Sequence, residues 1–175
     1  MSSCLLIEEN LYLLVRLRDT LAQLTPAQYT AVEHRWHNSS IGAHTRHVLD
    51  HYQAFVDGLE HGHINYDKRA REPELEEQHD AAIERIEHLL AQLDIEPLLS
   101  TPVRVTLDAS LRFATPTVEQ QSTIGRELTF LHAHTVHHQA YIVFILRTMD
   151  IEPAAPEMGY APATLRHREQ DSCAH

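Results

Sequence analysis

Apolar residues recur at helical spacing in four separate stretches of the chain. We predict amphipathic helices over residues 5–24, 41–60, 73–93 and 119–149, because apolar side chains three and four positions apart share one helix face. Asn38, Ser39 and Ser40 precede the second stretch and supply its N-cap. The second half of the fourth stretch is apolar nearly all round, which indicates the most buried element.

Three stretches do not follow this spacing. Residues 61–71 are polar and predict a crossing loop between the second and third helices. Residues 103–113 alternate apolar and polar positions around Asp108, which predicts a short β-hairpin. The tail from Glu152 contains three prolines and is expected to run extended over the surface.

These elements predict an all-α fold, a four-helix bundle with a long crossover, plus a short β-hairpin before the last helix. The 175 residues fit a single domain, residues 1–175, which is large enough to bury its own core. No composition shift marks a boundary inside it.

The net charge narrows the range of possible functions. The formal net charge is −11, and such a surface repels phosphate backbones, so nucleic-acid binding is not expected. No apolar run approaches the roughly 20 residues that span a bilayer, and the first residues do not resemble a signal peptide. We therefore expect a cytoplasmic protein that does not insert into membranes.

Histidine is the unusual component, with 15 in the chain. His134 and His138 are four residues apart on the fourth predicted helix, about 40° apart in azimuth at about 100° per residue. This spacing is the usual way for one helix to give two imidazoles to one ion. Glu127 and Tyr141 extend the same face, whereas His137 projects to one side of it.

The second predicted helix carries His44, His47 and His51 beside its apolar face. Any one of them could supply a third imidazole, and three protein ligands with one open position are typical of a reactive zinc site. The alternative from the residues alone is a polar seam of histidines satisfied by carboxylates, with Glu127 and Asp50 as the partners.

Residues 40–51 and 134–140 together resemble the DinB/YfiT family of metal-dependent enzymes. The resemblance implies a divalent metal ion, zinc or nickel, held by His47 from the second helix and by His134 and His138 from the fourth. Family members often have arginine and glycine after the histidine pair, where this chain has glutamine and alanine.

Three further residues are candidates for roles at this site. Arg69 and Tyr141 are candidate substrate-binding residues, since a guanidinium can hold a carboxylate with two hydrogen bonds. Glu127 is the candidate catalytic residue, either as a general base or as an acceptor for an imidazole N–H; the alternative is an ordinary surface carboxylate. No nucleophilic serine motif or phosphate-binding glycine loop is present.

The leading functional hypothesis is a hydrolase or thiol S-transferase acting on a small molecule. The resemblance implies a low-molecular-weight thiol as one substrate class and a second copy of the chain as an expected partner. The alternative hypothesis is a non-catalytic binding or stress-response module with a structural or vestigial metal. A structural metal normally has a fourth protein ligand, which His51 or Glu127 could provide.

Overall fold

The computed structural model describes residues 2–32, 38–93, 98–108, 112 and 117–172. This part of the chain is mostly helical and contains a small three-stranded sheet. Its helices are Ser2–Leu21 (α1), Pro26–Thr30 (α2), Ile41–His61 (α3), Pro73–Glu77 (α4), His79–Leu93 (α5), Ile124–Thr148 (α6) and Pro162–Ser172 (α7). Its strands are His63–Asn65 (β1), Pro102–Asp108 (β2) and Thr117–Thr123 (β3).

The four long helices enclose the hydrophobic core. Helices α1 and α3 each pack against both α5 and α6. The core between them consists of buried aliphatic and aromatic side chains, among them Leu14, Leu17, Leu49, Tyr52, Phe55, Leu89, Leu131 and Ile145. A buried hydrogen bond from the Tyr52 hydroxyl to Asn10 Oδ1, 2.8 Å long, joins α3 to α1 across this core.

Contacts between the helices give their directions. Asn10 bonds to the Leu128 carbonyl and Arg16 to Gln139, so α1 and α6 run parallel. His44 lies beside His138 and His51 beside Phe130, so α3 runs antiparallel to α6. Helix α5 runs antiparallel to α1, since His79 at its start reaches the Leu21 carbonyl. Helices α3 and α5 therefore point the same way, and residues 62–78, here called the crossover, return the chain between them.

The start of α3 agrees with the prediction from the sequence. Ser40 is its N-cap, and the Ser40 hydroxyl accepts a hydrogen bond of 3.0 Å from the backbone N–H of Ala43. Gly42 in the first turn lets α4 approach closely: a Cβ at this position would lie 2.1 Å from the carbonyl oxygen of Glu76. This close packing places the crossover against the N-terminal part of α3.

The predicted third helix, residues 73–93, is wrong as one element. It divides into α4 and α5 at Gln78, whose backbone is extended. The Leu75 carbonyl, which would accept from residue 79 in a continuous helix, instead accepts the buried Tyr29 hydroxyl at 2.6 Å. This tertiary hydrogen bond replaces a helical one where the chain breaks.

The first strand of the predicted hairpin is present as β2, and it has an antiparallel partner. Strand β2 pairs antiparallel with β3, with Val103 opposite Ser122 and Asp108 opposite Thr117. The predicted turn at residues 109–110 and the predicted second strand near residue 113 lie outside the described residues. The predicted start of the fourth helix at Glu119 is wrong, because residues 117–123 form β3 and Thr123 caps α6.

Two more segments depart from the prediction. The loop predicted over residues 61–71 contains β1, which pairs in parallel with β2. The tail from Glu152 is not extended throughout, since Pro162 begins α7, and proline is well suited to the first turn of a helix. Before α7, Met158 is buried and Gly159 packs on Ala140 of α6. Among the described helices, none is long and apolar enough to cross a membrane.

Candidate metal centre

Helices α3 and α6 bring five histidines together at their antiparallel contact. Helix α3 contributes His44, His47 and His51, and α6 contributes His134 and His138; these five are called the histidine cluster below. His51 is buried, and the other four are half-buried. Residues three, four and seven positions apart share a helix face, which is why both sets point into one seam.

His47 and His134 face each other across the seam. Their Nε2 atoms are 3.1 Å apart. Two imidazole nitrogens on one tetrahedral zinc ion, each about 2.0–2.1 Å from it, stand about 3.3 Å apart. The observed separation therefore fits two ligands of one ion, and it also fits a hydrogen bond between two neutral rings.

Three histidines of the cluster bring ring nitrogens together as a group. His47, His51 and His134 can each offer a ring nitrogen such that all three nitrogens lie within 4.8 Å of one another. Three imidazoles at this spacing could hold one metal ion. His51 is thus a candidate ligand; from the residues alone it was one of three possible third imidazoles, and the resemblance favoured His47 in its place. Its signal was in the sequence, because His47 and His51 have the same four-residue spacing as His134 and His138.

His138, the third ligand predicted from the resemblance, lies against the same rings. Its ring centroid is 4.5 Å from those of both His47 and His134. Its Nδ1 atom is 3.0 Å from Nδ1 of His44, so this nitrogen takes part in a hydrogen bond between the two rings. The remaining nitrogen, Nε2, is the atom of His138 that could bind a metal.

Tyr141, a predicted substrate-binding residue, lies next to this pair. Its ring stacks on His44 with 5.1 Å between centroids and 4° between planes. It also meets the exposed ring of His137 edge to face, with centroids 5.0 Å apart. Tyr141 therefore contacts the cluster through His44, and His137 stays at its margin, as its azimuth predicts.

Burial keeps the imidazoles neutral. Desolvation, followed by the neighbouring histidines, lowers the pKa of His47 to about 2 and that of His134 and His138 to about 3. The pKa of His51 falls to about 4, again mainly through burial, although its ring donates a hydrogen bond to the His47 carbonyl. Neutral imidazole is the form that binds metal ions.

His134 also has an unsatisfied nitrogen. Its Nδ1 atom is buried and has no hydrogen-bond partner in the described part of the chain. A buried polar atom without a partner costs roughly 1–3 kcal/mol. Several neutral imidazoles, one of them with a free nitrogen, form a donor set that suits zinc, copper, iron or nickel rather than calcium or magnesium.

Glu127, the candidate base, is buried but does not bond to an imidazole among the described residues. Its carboxylate accepts hydrogen bonds from Tyr66 at 2.9 Å, Ser122 at 2.5 Å and Arg126 at 3.1 Å. The Tyr66 ring in turn stacks on His51, with centroids 5.5 Å apart. Glu127 thus reaches the cluster through Tyr66, and it is 1% exposed rather than a surface carboxylate.

Arg69, the other predicted substrate-binding residue, reaches the cluster from the crossover. Its Nη1 atom donates to the Tyr66 carbonyl and lies 3.5 Å from Nε2 of His51. Asp50, the other carboxylate considered from the sequence, is buried and accepts a hydrogen bond of 3.1 Å from Arg46. The carboxylates therefore pair with arginines and a tyrosine instead of with the histidines.

Two cavities of about 420 Å³ adjoin these neighbours of the cluster. One is lined by β2, β3 and the start of α6, including Arg126 and Glu127. The other is lined by α3 and the crossover, including Asp50 and Arg69. No histidine of the cluster lines either cavity, so the imidazoles occupy a half-buried seam between them.

Comparison with known proteins gives a limited result. No family model matches the chain, and no solved structure matches it. FK506-binding protein 5 of Rhizopus delemar is 32% identical to the chain over 105 residues. The matched region covers 59% of this chain and 27% of that protein, so the chain spans about a quarter of the relative's length. This partial likeness does not show the family of the chain.

Proposed function

We propose that this chain is a divalent-metal-binding protein of the DinB/YfiT-like type, with zinc or nickel as the ion. The proposal includes the fold, a four-helix bundle formed by α1, α3, α5 and α6 with the long crossover between α3 and α5. It is supported by the packing of these helices around one core and by their directions. It includes His47, His134 and His138 as the ligands.

One observation carries the proposal more than any other. The Nε2 atoms of His47 and His134 are 3.1 Å apart between two helices, in a seam where burial keeps the pKa of each ring far below neutral pH. Two protonated imidazoles could not approach so closely without strong repulsion. A shared metal ion gives both lone pairs a partner at nearly this separation.

The activity proposed is that of a hydrolase or a thiol S-transferase acting on a small molecule. A metal ion with three protein ligands and an open position lowers the pKa of bound water, or keeps a bound thiol deprotonated. Residues around the metal ligands would orient them and shape the site. His44 orients His138 through their 3.0 Å contact, and the Tyr66 and Phe130 rings form an apolar wall beside His51 and His134.

The contact between Arg69 and His51 supports the open position. His51 donates from Nδ1 to the His47 carbonyl, so the lone pair of its ring is on Nε2. That atom faces the Arg69 guanidinium at 3.5 Å. A cation at this place competes with a metal ion for the lone pair, which favours His47, His134 and His138 as the ligands and leaves His51 beside the ion.

A second function has its own supporting observation. His47, His51 and His134 can bring three ring nitrogens within 4.8 Å of one another, and the ring of His138 adjoins two of them. If all four imidazoles bind the ion, its coordination is closed, as in structural sites. The chain would then be a non-catalytic binding or stress-response module.

Metal content and coordination number test both proposals. Protein prepared without nickel-affinity resin, then stripped and resupplied with zinc, is expected to retain about one zinc per chain in elemental analysis. No retained zinc would overturn metal binding. X-ray absorption at the zinc edge then counts the ligands: three imidazoles with one exchangeable oxygen support the enzyme, and four imidazoles support the structural site.

A further inference from the structure

Arg69 is a half-buried cation held next to the histidine cluster. It is in the crossover, and Nη1 makes its two contacts, one with the Tyr66 carbonyl and one of 3.5 Å with His51 Nε2. Its Nε atom is buried and has no hydrogen-bond partner among the described residues. A guanidinium can donate five hydrogen bonds, so most of its donor capacity is unused.

The carboxylates near Arg69 are engaged elsewhere. Asp50 pairs with Arg46 at 3.1 Å, and Glu72 pairs with Arg85 at 2.8 Å. Asp67 accepts the backbone N–H of Asp108 at 2.6 Å. Within the described chain, Arg69 itself forms no ion pair, although its neighbours Arg46 and Arg85 both do.

The atoms of Arg69 without a hydrogen bond to the described residues form the edge that recognises anions. Nε and Nη2 lie side by side on the guanidinium, and together they match the two oxygens of a carboxylate or two oxygens of a phosphate. The used atom, Nη1, is on the other side and faces His51 and Tyr66. Arg69 is half-buried and lines the cavity of about 420 Å³ formed by α3 and the crossover, so a ligand in that cavity can reach its side chain.

We propose that Arg69 binds the anionic group, a carboxylate or a phosphate, of a small molecule whose other end lies at the histidine cluster. This inference rests on the proposed function, because it names the substrate class of that site. The chain carries a formal charge of −11, so a small anion is repelled by most of its surface. An unpaired guanidinium at the metal centre provides a local exception to that repulsion.

The test measures anion binding to zinc-loaded protein by isothermal titration calorimetry. Acetate and inorganic phosphate are the two probes, and acetamide is the uncharged analogue of acetate. We expect at least one anion to bind with a stoichiometry of about one, and acetamide to bind at least about tenfold more weakly, since charge-assisted hydrogen bonds are the stronger kind. The preferred probe separates a carboxylate substrate from a phosphate substrate.

Substitutions in the crossover show which residue binds the anion. Arg69→Gln should lower the affinity for the anion about tenfold or more, because it removes a charged pair with two hydrogen bonds. Lys68→Gln removes the same charge from the neighbouring exposed residue and should change the affinity less than about twofold. Arg69→Lys keeps the charge but lacks the two parallel N–H donors of the guanidinium, so it should bind the anion with intermediate affinity. If Arg69→Gln does not fold, this variant tests the role of Arg69 in its place.

The outcomes separate this inference from the proposed function. Elemental analysis of each variant comes first, and wild-type protein that holds no zinc overturns both proposals. Zinc-loaded wild-type protein that binds neither anion overturns this inference alone. Equal losses in Arg69→Gln and Lys68→Gln also overturn it, because they indicate general charge attraction rather than recognition by Arg69.

Discussion

The Nε2 atoms of His47 and His134 lie 3.1 Å apart, although the two residues are separated by 87 positions in the chain. The antiparallel contact of α3 and α6 creates this pair. Both residues are predicted ligands, and both belong to the group of three histidines that could hold a metal ion. Every version of the proposed site therefore depends on them.

Replacement of either residue should abolish metal binding. In His47→Ala or His134→Ala the site loses one of three imidazoles, and we expect zinc affinity to fall by more than about 100-fold, beyond the 10–100-fold typical of residues that only support a ligand. Competition with a chromophoric chelator measures the affinity. His88→Ala is the control, because His88 is exposed on α5; a similar loss in this variant would show that binding is not specific to the cluster.

His51 and His138 should behave differently from each other. If Arg69 occupies the lone pair of His51, His51→Ala keeps zinc within about tenfold of wild-type affinity, whereas His138→Ala loses more than about 100-fold. Chelator competition on the two variants gives the answer. The reverse order would replace His138 by His51 in the ligand set, and large losses in both would favour the closed four-ligand site.

His44 should act on the metal only through His138. His44→Phe keeps a ring to stack on Tyr141 but removes the nitrogen 3.0 Å from His138 Nδ1. Partners that fix a ligand's orientation are typically worth 10–100-fold in metal affinity, so we expect a loss in that range. His44→Gln can still form the hydrogen bond to His138, so its metal affinity should lie between those of wild type and His44→Phe. Unchanged affinity in His44→Phe would mean that His138 needs no such support.

Glu127→Gln should reduce stability without removing the metal. The Glu127 carboxylate accepts hydrogen bonds from Tyr66, Ser122 and Arg126, and an amide can satisfy only some of these donors. We expect a loss of about 1–3 kcal/mol in the free energy of unfolding, measured with urea, at unchanged zinc content. Tyr66→Phe removes one of these bonds and should cost less. The base role predicted for Glu127 requires, in addition, loss of turnover in Glu127→Gln while zinc stays bound.

Helix positions were predictable from the sequence wherever one face is apolar. The stripe containing Val48, Tyr52 and Phe55 defines α3 because those side chains meet the core. Strand β3 has no such pattern, since residues 117–121 are all exposed, and its polar residues read equally well as the start of a helix. Strand β1 has three residues and exists through pairing with β2 about 40 positions later in the chain, which periodicity cannot detect.

The sequence likewise predicted the part of the candidate site that depends on local spacing, and not the part that depends on long-range packing. The four-residue spacing of His134 and His138 is local and was visible in the sequence. Spacing along α3 does not choose among His44, His47 and His51, which all lie beside histidines of α6, so the choice of His47 needed the resemblance. The partners of Glu127 come from the crossover and from β3. The crossover was predicted as a loop without its packing against α6, and β3 was not predicted. Its burial against Tyr66 and Ser122 could not have been expected.

Acid should destabilise the metal-free protein well before its carboxylates are protonated. In the unfolded chain a histidine has a pKa near about 6.5. In the folded chain burial lowers the pKa of His47 to about 2, of His134 and His138 to about 3 and of His51 to about 4. As pH falls below about 6.5 the unfolded state therefore binds more protons, and the free energy of unfolding decreases by at most about 1.4 kcal/mol per pH unit for each such histidine.

This linkage is measurable with urea at about pH 7.5 and about pH 5, where most Asp and Glu side chains are still ionised. We expect the metal-free wild-type protein to lose stability between these pH values, and metal-free His134→Ala to lose less because one buried imidazole is gone. The same pKa values place proton competition with zinc at pH about 4 and below, whereas an exposed imidazole would compete near about 6.5. Zinc-loaded protein should therefore keep its ion at about pH 5. Metal release that follows an ordinary imidazole titration would instead mean that the ligands are exposed histidines outside the cluster.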